Sequence, residues 1–217
     1  MAVLNYQNKD DARRETSPLR KLFGPSQAEI WKILAEQVGG RFEGGFWTGP
    51  KVQVDVGQWT FTLDRYVVST GKSTVVYTRM RAPYVNRDGF RFTIYRKSIF
   101  SELGKMLGMQ DITTGFPEFD EPFIVKAGNP VQVRRLCSNP RLRNLIASQP
   151  KIHLQVRDDE GWFAQRFPEG VDELYFLALG VIKDLHLLRG LFDLFAETLN
   201  TLCHIGSAYE NDPGLVL

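Results

Sequence analysis

The stretch VIKDLHLLRGLFDLFAETLNTLCHI, residues 181–205, sets the frame for the rest of the chain. Val181, Leu185, Leu188, Phe192, Phe195, Leu199 and Leu202 recur at alternating steps of four and three. That spacing lays one apolar stripe along an α-helix. Leu191 and Leu194 widen the stripe beyond a coiled-coil seam. A broad stripe is what a helix needs to lie on a sheet of its own domain. The expected helix covers roughly 183–205, stops at Gly206-Ser207, and buries Leu188, Phe192, Phe195 and Leu199 in its own chain. A homodimer would be left the edge of the stripe, around Leu187, Leu191 and Leu194.

The residues before this helix supply the sheet. Val52, Val54 and Val56, then Trp59, Phe61 and Leu63, alternate with polar residues. A period of two marks half-buried antiparallel strands. Thr70-Gly71-Lys72 reads as a turn into a strand over 74–82. Asn86-Arg87-Asp88-Gly89 reads as a tight turn before alternating Phe90, Phe92 and Ile94, making 72–97 a hairpin. Residues 98–107 read as a short helix, and 123–125 as a strand. Asn129-Pro130 and Asn139-Pro140 each can open a helix. Ile152, Leu154 and Val156 alternate again, and Asp158-Asp159-Glu160-Gly161 turns into 162–167. Residues 174–180 fit strand or helix; Gly180 favours strand. At the front, Ser26 and Glu29 form a capping box before Ile30, Ile33, Leu34 and Val38, and Gly39-Gly40 ends that helix.

The fold class is therefore α+β: antiparallel sheets with flanking helices and a long C-terminal helix packed on a sheet. Residues 1–21 read as a mobile arm, 22–206 as one domain, and 207–217 as a loose tail. The order helix, strands, helix occurs twice, so two similar lobes, 22–110 and 116–206, are a further expectation.

The 217 residues are 43% hydrophobic and 24% charged, which suits a folded chain, and the net charge of +2 gives no general pull towards nucleic acid. The longest strongly apolar run, 174–182, is too short to span a membrane. Cys137 and Cys203 lie far apart in apolar patterns, as two buried thiols of a reducing, cytoplasmic compartment would.

No site motif stands out. His153, His186 and His204 have no metal-ligand spacing among themselves or with the cysteines. The glycines at 39–45 follow a helix, whereas a phosphate cradle leads into one. The acidic runs Glu118-Asp120-Glu121 and 158–160 read as solvated loops. No catalytic, cofactor or metal residue is assigned. The strongest local bias is basic: Arg79, Arg81, Arg87, Arg91, Arg96 and Lys97 stand among aromatics with Asp88 as the sole acid in 72–97. Such a surface can bind a polyanion. The competing reading, a hairpin with a basic solvent face and an aromatic core face, is favoured over nucleic acid.

Phe119-Asp120-Glu121-Pro122-Phe123-Ile124-Val125, followed by Arg135-Leu136, Pro140 and Leu142, resembles a pattern F-D-x-x-F-x-V in bacterial proteins of unknown function. The resemblance implies a bacterial source and the same order of elements over about 90–180. It brings no chemistry with it. Those proteins carry N-terminal membrane helices, and this sequence shows none.

The sequence thus points to a non-catalytic binding or scaffold protein. Two alternatives stay open: a carrier of an apolar small molecule or lipid in a helix-grip-like cavity, and polyanion binding through 72–97.

Overall fold

The computed structural model describes residue 4 and residues 24–45, 49–69, 71–99, 110–158, 167–215 and 217. The chain builds α1 (Gln27–Val38), β1 (Arg41–Gly45), β2 (Gly49–Val56), β3 (Trp59–Ser69), β4 (Thr74–Asn86) and β5 (Phe92–Arg96). After them come β6 (Gln110–Asp111), α2 (Pro117–Asp120), β7 (Phe123–Ala127), α3 (Pro130–Cys137) and α4 (Pro140–Ser148). It closes with β8 (His153–Arg157), β9 (Val171–Leu179), α5 (Leu185–His204) and β10 (Ala208–Tyr209).

The named strands pair antiparallel in the order β1-β2-β3-β4-β9-β8-β5-β7-β6, with β10 added to β4. The alternation seen in the sequence divides the sheet into two faces. Val52, Phe61, Met80, Phe176, Leu154 and Ile94 lie on the inner face, all essentially inaccessible. α5 lies across that face, with the Phe61 ring 6.4 Å from Phe192 and 5.8 Å from Phe195. Leu188, Phe192, Phe195 and Leu199 are fully buried, as the stripe requires.

Capping explains where the helices start. Ser26 Oγ accepts from Glu29 N while Glu29 Oε2 accepts from Ser26 N, so the expected capping box is formed. Asn129 and Asn139 each accept two backbone N–H groups at the starts of α3 and α4. Asp184 does the same for α5, which therefore begins at Leu185. Gly40 is required by close approach: a Cβ there would sit 2.6 Å from the Gln53 carbonyl oxygen of β2. Gly190, inside α5, lets Gln149 at the end of α4 pack against the helix backbone, with Nε2 3.3 Å from where a Cβ would stand.

Several expectations change. The turn at 86–89 forms, with Gly89 at φ +68° and its N–H donated to Asn86 Oδ1. It does not close a hairpin, because β9 and β8 lie between β4 and β5. Turn chemistry dictates a chain reversal, but burial of both neighbours chooses the partner strand. The halves interleave in one sheet, β5 sitting between β8 and β7, so the strands form no pair of lobes. Of the edge expected to remain for a homodimer, Leu191 and Leu194 are fully buried in the chain itself and Leu187 is half-buried. The C-terminal segment is anchored rather than loose: Ala208 and Tyr209 pair with β4, Pro213 is buried, and Gln53 Nε2 donates to the Leu217 carbonyl at 3.0 Å. Leu4 packs on the core, and the other residues of the expected arm lie outside the described ones. So do most of the expected helix at 98–107, of the turn at 158–161 and of the strand at 162–167.

Candidate functional site

The β3–β4 hairpin is longer than its neighbours. β2 follows β3 only as far as Asp64, and β9 follows β4 only as far as Thr78. Beyond those points, among the described residues, the outer pairing is a bridge from Gly180 to the Val76–Tyr77 backbone. The ribbon that remains is built of cross-strand pairs Tyr66–Tyr77, Val67–Val76 and Val68–Val75. Alternate pairs point to opposite faces, so both faces are apolar. Tyr66 is 38% exposed and Val67 45%. Only Val131 and Tyr209 match them among large apolar side chains of the described residues, and neither has such a neighbour.

The base of the ribbon is held rigidly. Asp64 accepts two hydrogen bonds of 2.7 Å from Arg79 and one of 2.8 Å from Arg81. The Arg79 guanidinium also covers the Tyr66 ring at 4.7 Å, and Tyr66 leans on Tyr77 at 6.4 Å. Arg65 and Lys72, both exposed, are the cations of the ribbon itself, and no acid lies between them.

Of the six cations singled out from sequence, the structure brings together Arg79 and Arg81, on Asp64. Arg91 bridges Asp172 and Asp158, and hydrogen bonding to Asp172 raises its pKa further. Arg96 donates to the carbonyls of Gln149 and Ala147 and lies 4.7 Å over the Phe123 ring. Lys97 donates to the Asp120 carbonyl, and Arg87 stands 5.3 Å over the Tyr209 ring. These four lie around β5 and the turn that follows β4, and two strands, β9 and β8, separate β5 from the strand that carries Arg79 and Arg81.

The outer face of the sheet carries a buried polar layer that the sequence does not announce. Glu173 is fully buried and accepts from Arg157 at 2.6 Å, while Arg157 lies 3.6 Å over the Tyr175 ring. His153 is 7% exposed, meets Tyr95 edge-on at 6.2 Å, and makes no hydrogen bond with any described residue through either nitrogen. Burial, aided by the Arg157 charge, lowers its pKa to about 4, so the ring is neutral at ordinary pH.

The helical side holds clefts. One of about 890 Å³ lies where α3, α4 and α5 meet. Its wall is fixed by Asn139, whose Nδ2 donates to Glu197 Oε1 at 2.6 Å and Thr201 Oγ1 at 2.9 Å. Another, of about 770 Å³, runs between α4 and α5 past Gly190. A third, of about 210 Å³, sits where β9 ends beneath the start of α5.

The remaining candidates carry no visible chemistry. Burial pushes the Cys137 thiol to about 12 and the Cys203 thiol to about 11, so neither is a thiolate at neutral pH. Among the described residues, no group of three His, Cys, Asp or Glu side chains could hold a metal, and no helix is long and apolar enough to cross a membrane. The F-D-x-x-F-x-V stretch is structural. Phe119 and Phe123 stack at 4.8 Å in the core, and Asp120 accepts from Thr114 N, Thr114 Oγ1 and Gly115 N. No protein-family model, curated protein or solved structure matches the chain.

Proposed function

We propose that this is a non-catalytic bacterial binding or scaffold protein, and that it engages a partner protein through the β3–β4 ribbon. The observation that carries the reading is the ribbon's pair of apolar faces, with Tyr66 open to solvent on one and Val67 on the other. On each face the exposed side chain has an apolar cross-strand neighbour, Tyr77 beside Tyr66 and Val76 beside Val67, and such a patch marks an interaction surface where a single exposed side chain is ordinary. The aromatic and the rigid base both favour this role, since a pre-ordered tyrosine buries much area at small entropic cost. Arg65 and Lys72 favour a partner surface whose rim is acidic. The free cysteines fit a reducing compartment such as the cytoplasm.

Cross-linking in the producing cell tests the site. A photoreactive side chain replacing Val67 should yield one dominant adduct. The same group replacing Val131, which is more exposed but stands alone on α3, should not. Equal labelling from both positions would remove the ribbon as the binding surface.

A further inference from the structure

We propose that the 210 Å³ cleft at the end of β9 is a binding site for a small apolar carboxylate, such as a monocyclic aromatic acid. The proposal is independent of the ribbon. Phe176, Leu179, Val181, Ile182 and Leu187 make the lining apolar. Among the described residues that line it, Lys151 is the one charged side chain, and it forms no hydrogen bond or ion pair with any described residue. An apolar pocket with a single uncommitted cation fits a ligand that is apolar in body and anionic at one end. The volume sets the size. A dry cavity of about 150 Å³ admits benzene, so this cleft holds one ring with a small substituent.

The walls are fixed before any ligand arrives. Gly180, at φ +85°, turns the chain out of β9. Its carbonyl accepts from Thr78 Oγ1 at 2.9 Å, and the same hydroxyl accepts from Ile182 N at 2.8 Å. The Ile182 carbonyl accepts from Trp31 Nε1 at 3.1 Å. On the opposite side, Gln149 donates through Nε2 to the Leu187 carbonyl, and its own carbonyl accepts from Arg96. Thr78, Trp31 and Arg96 therefore pin the two segments from outside the cleft, so it cannot close by local collapse. A pre-formed pocket spares the ligand the cost of ordering it.

The test is titration of the full chain with benzoate and with toluene, its uncharged counterpart, followed by methyl NMR. Benzoate should bind saturably in the millimolar range and shift the methyls of Leu179, Ile182 and Leu187. Because Lys151 is exposed, Lys151→Gln should weaken benzoate by about threefold and leave toluene unchanged. Val181→Phe should abolish binding of both by filling the space. Unsaturable shifts, or shifts scattered over the surface, would overturn the site. Equal loss of benzoate and toluene affinity in Lys151→Gln, or no loss at all, would overturn the anionic specificity. Either result is readable even if Val181→Phe does not fold.

Discussion

Phe192→Ala should lower the free energy of unfolding by about 3–5 kcal/mol, without changing the number of chains in the particle. The ring is fully buried where α5 crosses the sheet, 6.4 Å from Phe61. Removing it costs the transfer free energy of the ring and leaves a cavity. Phe195, Leu188 and Leu199 flank the position on the same helix and are themselves fully buried. The space can therefore collapse little, and the cost belongs at the upper end for large-to-small changes. The stripe lies inside its own chain, so the loss should appear in urea unfolding and not in light scattering. A variant that stayed within about 1 kcal/mol of the parent, or that changed only its oligomeric state, would place α5 at an interface between chains.

His153 should make the fold sensitive to acid. Its pKa is about 4 in the folded chain and 6.5 as the ordinary value for imidazole. The folded-state value is depressed, so between these limits the unfolded chain binds a proton that the folded chain refuses. Stability is then full above 6.5, falls as the pH drops towards 4, and levels off below it. Integrated over that interval, the loss from this one group is about 3 kcal/mol. The largest cause is burial of a ring with no hydrogen-bond partner among the described residues, and Arg157 adds repulsion. His153→Leu removes the titrating group and keeps an apolar body beside Tyr95. The unfolding free energies of parent and variant should run parallel above 6.5 and diverge in favour of the variant as the pH falls to 4. Parallel curves through the whole interval would mean that His153 is not buried in neutral form.

The elements that were legible in the sequence are those fixed by neighbours in the chain. The Ser26–Glu29 box, the asparagine caps and the stripe of α5 all satisfy local rules, and each stands where the pattern put it. β9 was readable as a strand because Gly180 limits the apolar run. Strand partners were not legible, since the period of two fixes which face a residue takes but not which strand lies beside it. The turn at Asp88-Gly89 is real, yet its two flanking strands pair elsewhere. For the same reason the basic bias of 72–97 looked like one surface. The acids that meet Arg79, Arg81 and Arg91 are Asp64, Asp158 and Asp172, all outside that window.

The ribbon leaves a trace in the sequence. At Tyr66-Val67-Val68 and again at Val75-Val76-Tyr77 the alternation stops and three apolar residues run together. In a strand that means both faces are apolar. The register of β2 and β9 shows that the ribbon runs on beyond the strands beside it, and the exposure of Tyr66 and Val67 shows that its faces are open.

Native mass spectrometry of the purified chain, beside a Tyr66→Ser/Val67→Thr variant, tests the ribbon most directly. Both substitutions fall at exposed strand positions and introduce neither Gly, Pro nor a charge, so the fold should be retained. The parent should carry a bound protein chain, either a second copy or a different protein, and the variant should fly as a bare 24.8 kDa monomer. A parent that is itself a bare monomer, or a variant that holds the same partner as the parent, would contradict the assignment of this protein as one that binds through its β3–β4 ribbon.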